Sequence, residues 1–329
     1  MNRSLIVNKS DDTDDSVNTT LTDELHLGEG DLLIDVTYSS LNYKDAMALR
    51  GDKGVARTLP LVPGIDAVGT VVESDSERFN TGDEVVINGA GLGEFRHGGY
   101  ATQQRIPSES TVALPAAFSA RQAAAIGTAG FTAALSVDAL REQGVEPGDG
   151  DILVTGATGG VGSVAIHLLK RLGYTAAAST GRVEEHGDYL RELGAAEVID
   201  RAELSEQGKP LQKSRWAGVV DAVGSHTLVN ALAQTRWGGT VTACGLAQGP
   251  DLQGTVLPFI LRGVKLVGIN SVDAPLELRE RAWATLAEHL DTDVLEAMTS
   301  TVTLADVAAA GADLMAGRSH GRTVVDVRG

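Results

Sequence analysis

Residues Asp151-Ile-Leu-Val-Thr-Gly-Ala-Thr-Gly-Gly-Val-Gly-Ser163 constrain the fold more than any other stretch of the chain. A short apolar run stops at a glycine-rich turn, and a helix-forming segment with Ala165, Ile166, Leu168 and Leu169 follows. That order sets a dinucleotide pyrophosphate on a helix N-terminus. Glycines allow a tight turn and close backbone approach, while N–H groups and the helix dipole attract the phosphates. Gly159 and Gly162 occupy the middle and last positions of a GxGxxG pattern, and Ala157 stands in for the first. The pattern alone is weak, and a glycine turn without a ligand is the bland alternative. The strand before it and the helix after it favour the ligand. Thr158, Gly159, Gly160 and Val161 are then the expected cofactor contacts. The turn begins at residue 151, so a segment of domain size precedes it.

The texture of the chain changes along its length. Residues 1–120 are β-rich: 32–38 and 67–73 are β-branched and partly alternating, and 82–88 adds a short strand after a turn. From Ser119, a capping residue, a helix is expected through 121–126 and another from Thr128. Strands then alternate with helices. Strands are expected at 151–155, 174–179, 196–199, 217–221, 239–243 and 264–269, with helices at 163–172, 183–193 and 226–236 between them. Gly173 and Gly194 fall where helix C-caps belong. Parallel strands require crossovers, so this is an α/β Rossmann fold, a doubly wound parallel sheet. A helix at 276–290 and a strand at 322–327 do not extend that sheet simply, so the C-terminus is expected to return to the first domain. The boundaries read as 1–120 with 271–329 for a substrate domain, and 121–270 for an NADP-binding domain.

The cofactor preference is legible about twenty residues beyond Gly159, where an NAD site places a carboxylate against the ribose hydroxyls. This chain has Ser179-Thr-Gly-Arg182 there. A carboxylate would repel a 2′-phosphate, whereas Ser179, Thr180 and Arg182 offer two hydroxyls and a paired-donor guanidinium. The expected cofactor is NADP(H), the alternative being that Arg182 is a solvated residue near a helix start.

Composition narrows the partners. A formal net charge of −17 argues against nucleic acid. No signal-peptide pattern opens the chain and no apolar run of membrane-crossing length stands out, so a cytoplasmic protein is expected. Cys244 is the single cysteine, which excludes an intramolecular disulfide and a multi-cysteine zinc lobe. Its setting reads as the end of a buried strand rather than a nucleophile. Lysine is scarce, and Asp11-Asp-Thr-Asp-Asp15 is read as a solvated turn between two strands. An acidic, lysine-poor surface suits a salt-rich cytoplasm, hence a halophilic protein.

The first domain lacks the donors of a catalytic zinc. Residues 1–120 contain no cysteine, and their histidines, His26 and His97, read as surface residues. Hydride addition to an activated C=C or to a quinone fits such a site better than alcohol oxidation. In Ser39-Ser-Leu-Asn-Tyr-Lys-Asp45, Pro63-Gly-Ile-Asp66, Gly127-Thr-Ala-Gly-Phe-Thr-Ala133, Val154–Ser163, Trp216-Ala-Gly-Val-Val-Asp221, Ala243-Cys-Gly-Leu-Ala247 and Pro258-Phe-Ile-Leu-Arg262 the chain resembles the medium-chain dehydrogenase/reductase superfamily. Within it, the zinc-free quinone oxidoreductase branch and the acrylyl-CoA reductase group are the nearest in pattern.

The resemblance implies a GroES-like domain built from both chain ends around the Rossmann domain, and reduction of the 2,3 double bond of acryloyl-CoA with NADPH. By the same resemblance Asn42, Tyr43 and Asp45 are catalytic and line the nicotinamide end. Thr128, Gly245, Leu246, Asn270 and Arg322 join the cofactor contacts. Ala90, where an aromatic residue would not be unusual, leaves the acyl pocket open. Tyr43 either donates the proton to the α carbon or only packs against the nicotinamide. Lys44 reads as an exposed neighbour. Arg50, Lys53 and Arg57 either receive CoA phosphates or are solvated loop charges. The alternatives are an NADPH:quinone oxidoreductase and a non-catalytic NADPH-binding sensor. The apolar strand 264–269, read as the sheet edge, points to a homodimer.

Overall fold

A computed structural model describes residues 2–10 and 16–329. The acidic stretch 11–15, expected as a turn, lies outside the described residues. In chain order the strands are β1 (Ser4–Lys9), β2 (Val17–Thr22), β3 (Leu32–Ser40), β4 (Asp66–Ser74), β5 (Glu84–Asn88), β6 (Gln103–Ile106), β7 (Thr111–Ala113), β8 (Ile152–Val154), β9 (Ala176–Thr180), β10 (Ala195–Asp200), β11 (Trp216–Asp221), β12 (Thr235–Ala243), β13 (Lys265–Gly268), β14 (Thr299–Thr303) and β15 (Arg322–Asp326). The helices are α1 (Tyr43–Leu49), α2 (Ala120–Glu142), α3 (Gly160–Arg171), α4 (Val183–Leu193), α5 (Ser225–Gln234), α6 (Leu257–Arg262), α7 (Leu276–His289), α8 (Thr292–Ala297) and α9 (Val307–Met315).

Two compact units emerge. The first comprises Met1–Phe131, Ser271–Ala287 and Asp291–Gly329, and the second comprises Thr132–Asn270 with Glu288–Leu290. In the first, the sheet runs β14-β15-β3-β4-β5-β7, with β6 also paired to β3. The C-terminal strand β15 lies antiparallel to β3, Val324 opposite Ser40 and Val325 opposite Ser39. Both chain ends therefore build one GroES-like unit, as expected. Its core gathers Leu32, Ile34 and Val36 from alternate positions of β3 with Val71, Ile87, Val325 and Val327. Period-2 alternation puts those side chains on one face. α1 was not anticipated from the sequence. It packs through Ala46 and Leu49 against α9, where a Cβ on Gly311 would meet Leu49 Cδ1 at 3.2 Å.

The second unit is a six-stranded parallel sheet, ordered β10-β9-β8-β11-β12-β13. Chain order reverses between β8 and β11, which is the switch point of a doubly wound sheet. Trp216, Val219, Val241, Leu153 and Leu232 fill one face. Gly173 and Gly194 take positive φ (85° and 123°) at the ends of α3 and α4, as C-cap glycines do.

α2 departs from one expectation. By length and composition it is apolar enough to cross a membrane, although no such run stood out in the sequence. Gly127, at φ 49° and ψ −163°, breaks it into two shorter helices, and most of its apolar window is buried inside the protein. It is a core element.

Candidate functional site

The first unit assembles a buried polar cluster where β3 ends, β4 and β15 begin, α1 starts and α2 kinks. Asp66 is its centre and is fully buried. Its carboxylate accepts from Asn42 Nδ2 (2.7 Å), Asn88 Nδ2 (2.7 Å), Thr128 N (2.9 Å), Thr128 Oγ1 (2.6 Å) and Ser40 Oγ. The kink at Gly127 turns the Thr128 N–H toward that carboxylate. A Cβ on Gly127 would sit 2.5 Å from Ser40 Oγ and 2.7 Å from Asp66 Oδ2. Asn88 is held in turn by α7, whose Trp283 Nε1 donates to Asn88 Oδ1 at 3.1 Å.

Asp45, also fully buried, stands one helical turn along α1 and caps it. Its carboxylate accepts from Asn42 N (2.9 Å), Asn42 Nδ2 (3.1 Å) and Ile65 N (2.8 Å). One amide, Asn42 Nδ2, therefore bridges both carboxylates. Burying two anions together is costly unless a cation and hydrogen bonds compensate. Arg322 supplies the cation, its Nε donating to Ala125 O at 2.5 Å and its Nη1 to Asn42 Oδ1 at 3.2 Å. Burial, and then the Asp66 charge, push the Asp45 carboxyl up to about 7. Burial and the same two carboxylates hold the Tyr100 phenol well above its ordinary value, with Arg322 opposing. Burial lowers Arg322, and the carboxylates oppose that shift.

Tyr43 differs from these neighbours: it is 43% exposed at the first turn of α1. Lys44 is not merely exposed, because its Nζ reaches the buried carboxylate of Glu94 at 2.7 Å. Arg57 lies 3.7 Å from the same carboxylate. His26 and His97 also correct the sequence reading. Both are half-buried, with ring centroids 6.0 Å apart, and His97 Nδ1 accepts from Val62 N at 3.1 Å. Burial and the neighbouring His26 lower the His97 imidazole. They are packing residues because the loop carrying His97 folds back on Val62 through backbone bonds as well.

In the second unit the expected cofactor residues share one end of the sheet. The glycine turn follows β8, with Gly156 at φ 60° and Gly159 capping α3. A Cβ on Gly162 would lie 2.6 Å from both Ala157 Cα and Gly156 O, so only glycine lets α3 start this close to the turn. Thr158, Gly159, Gly160 and Val161 form this turn and the first residues of α3, whose leading N–H groups have no intrahelical acceptor. Ser179 and Thr180 end β9 and are buried, and Thr180 Oγ1 accepts from Arg182 N at 3.2 Å. Gly245 and Leu246 follow β12, and Asn270 follows β13. Asp221 anchors the end, accepting from Thr155 Oγ1 (2.7 Å) and Gly224 N (2.8 Å). A crevice outside the carboxyl ends of the strands at a switch point is where such sheets hold dinucleotides. A polar cavity of about 540 Å³, lined by Asp151, Lys213, Arg215 and Arg236, opens instead at the amino ends of β8, β11 and β12.

Cys244 follows β12 and donates its thiol to Asp221 O at 3.2 Å. Burial, and then the Asp221 charge, push the thiol up to about 12, so it stays protonated and is not a nucleophile. Among the described residues no group of three or more His, Cys, Asp or Glu is arranged to hold a metal ion. Sequence reasoning missed Asp66 as a site residue although it closes the Pro63-Gly-Ile-Asp66 string. A lone aspartate at the start of a strand gives no local signal of burial. The oddity of a charge opening the apolar run 66–72 was the available clue.

Known proteins with this geometry agree in class. Residues 28–116 match the alcohol dehydrogenase GroES-like domain, and residues 160–288 match the zinc-binding dehydrogenase family. The chain belongs to the medium-chain dehydrogenase/reductase superfamily, in its quinone oxidoreductase branch, and is an oxidoreductase of that family. It is 46% identical to the acrylyl-CoA reductase of Ruegeria pomeroyi, over 91% of this chain and 90% of that one. It is 42% identical to a candidate quinone oxidoreductase of Bacillus subtilis, over 96% of each. Among solved structures, Escherichia coli YhdH with bound NADPH superposes with a TM-score of 0.94 at 44% identity, covering 99% of this chain and 100% of that one. Bacillus subtilis yhfP, with NAD bound, gives 0.93 at 40% identity and covers 99% of each chain.

Proposed function

We propose that this protein is an NADPH-dependent reductase of the 2,3 double bond of acryloyl-CoA or a similar short enoyl-CoA. One observation carries the reading. An Asp66-centred cluster holds Asn42 and Thr128 in fixed positions beside exposed Tyr43, in a chain closely similar to an acrylyl-CoA reductase. When bound, NADPH supplies the hydride. The residues present suit that cofactor: the close approach at Gly162 leaves the turn open to a pyrophosphate. Ser179, Thr180 and Arg182 receive the 2′-phosphate. Arg182 lies 3.8 Å from Glu185, itself 62% exposed, and so loose a pair yields to a phosphate at little cost. Gly245, Leu246 and Asn270 complete the cofactor contacts of the second unit.

The substrate's β carbon takes the hydride, and negative charge develops on the thioester oxygen as an enolate. Fixed donors stabilise that oxygen. The α carbon then takes a proton from Tyr43 or from a water beside it. Asn42 and Asp45 position the first turn of α1 from which Tyr43 projects. NADPH oxidation followed with acryloyl-CoA, crotonyl-CoA and a simple quinone tests the reading. Acryloyl-CoA is expected to give the highest kcat/KM, and faster turnover of the quinone would overturn it. The quinone reading has its own support in the Bacillus subtilis relative.

The same reading includes a homodimer. β13 is the sheet edge, and α6 beside it turns Ile260 (68% exposed) and Leu261 (58%) outward. Arg262 pins α6 in that orientation by donating to Ala233 O and Thr235 O. An apolar edge of this kind invites a second copy. Light scattering should give twice the 34.2 kDa chain mass. The excess of carboxylates over lysine and arginine also supports salt-dependent stability, read as a melting temperature that rises in molar KCl.

A further inference from the structure

The loop at 89–96 is built unlike its surroundings. Gly89, Ala90, Gly91 and Gly93 all take positive φ, at 68°, 53°, 79° and 68°. Ala90 does so at a steric cost that glycine would not incur. The loop closes on itself, with the N–H groups of Glu94, Phe95 and Arg96 all donating to Gly91 O. Its tip presents Phe95, 46% exposed, with the ring seated over Gly91, where a Cβ would meet Phe95 Cζ at 2.2 Å. The Arg57 and Arg96 guanidinium carbons lie 6.0 and 5.9 Å from the ring centroid. That is the outer limit of attraction to a ring face, so each cation is only weakly held by the ring. Glu94, buried, ties the loop to α1 through Lys44 at 2.7 Å, one residue from Tyr43.

A half-exposed aromatic ring beside two guanidiniums that it holds only weakly has the two things an adenine nucleotide needs: a surface for the base and paired donors for phosphates. On a chain of net charge −17 a phosphorylated substrate requires such a local exception. We infer that the Phe95 loop is the docking surface for the phosphorylated adenosine end of the CoA substrate, with Phe95 stacking on adenine and Arg57 and Arg96 holding phosphates. The inference rests on the acyl-CoA reading above, and it places the acyl end toward Tyr43 through the Lys44–Glu94 link.

The experiment compares acryloyl-CoA with acryloyl-pantetheine, which lacks the nucleotide, in the parent enzyme, in Phe95→Ala and in the Arg57→Gln/Arg96→Gln double variant. The quantity read is the ratio of the two kcat/KM values. Loss of one stacked base or of both phosphate donors is expected to lower that ratio about tenfold. Phe95→Trp keeps a ring and should retain the parent ratio. Adenosine 3′,5′-bisphosphate at saturating NADPH should compete with acryloyl-CoA in the parent. This measurement stands even if a variant fails to fold. A ratio equal to the parent's in both variants, or inhibition that acryloyl-CoA does not relieve, would overturn the docking surface while leaving the reductase reading intact. A parent enzyme that reduces neither thioester overturns the reductase reading and the docking surface with it.

Discussion

The two units build their sites from different materials. In the second, the candidate site at the glycine turn after β8 is made of backbone: positive φ at Gly156, a close approach at Gly162 and N–H groups at the start of α3. In the first, the site is made of side chains. Asn42 with Asp45, Asp66, Thr128 and Arg322 come from four separate places in the chain and hold one another. A backbone site depends on local geometry, so damage to it stays local. A side-chain network with two buried carboxylates and one buried cation depends on every member, because any loss leaves a charge or donor unpaired in a low dielectric.

The comparison breaks most readily at Asp66. Asp66→Ala removes the acceptor that Asn42, Asn88 and Thr128 share and a counter-charge from Arg322. The expected loss of folding stability is about 3–5 kcal/mol, read by chemical denaturation. If the variant lost less than about 1 kcal/mol, the cluster would not be the interdependent network described. Asp66→Asn preserves size but turns an amide N–H group toward some of the donors the carboxylate accepts from, so it should fall between the parent and the alanine variant.

Gly162→Ala tests the other side. Its Cβ would meet the backbone at Ala157 and Gly156, neither of which can rotate away. The cost is about 1–3 kcal/mol of overpacking, together with weaker NADPH binding measured by fluorescence titration. Denaturation of the first unit should be insensitive to the change if the damage is local. Hydrogen exchange at β3 and β4 that quickened as much as at β8 would contradict the contrast between the sites.

Legibility in the sequence follows the same division. The doubly wound sheet, the glycine turn and the return of the C-terminus to the first unit could be read because each rests on local pattern: period, punctuation and short spacing. Arg322 and Thr128 came only through resemblance to a family, and Asp66 was not singled out at all. Nothing within ten residues of Asp66 announces that Asn42, Asn88 and Thr128 will converge on it. α1 was missed for a related reason. Asn42 and Asp45 satisfy a capping pattern, yet seven residues are too few for a hydrophobic period to show. The histidines misled because a glycine-rich setting looks exposed, whereas backbone bonds fold that loop inward.

The subtlest test uses proton linkage within the first unit. Burial and the Asp66 charge raise the Asp45 carboxyl from 3.8 to about 7 in the folded state. Between those values the folded protein binds more protons than the unfolded chain, so stability falls as pH rises. The contribution is complete below the unfolded value and is lost as pH climbs through about 7. Asp45→Asn removes the titration, and its fixed loss of one acceptor does not vary with pH. The parent should therefore lose on the order of 1–2 kcal/mol relative to Asp45→Asn between pH 5.5 and pH 8. Parallel stability curves for the two proteins would mean that Arg322 and the Asn42 amide neutralise Asp45 fully. The cluster would then hold two permanent charges rather than one charge and one proton. In that case the contrast between the two sites would rest on connectivity alone.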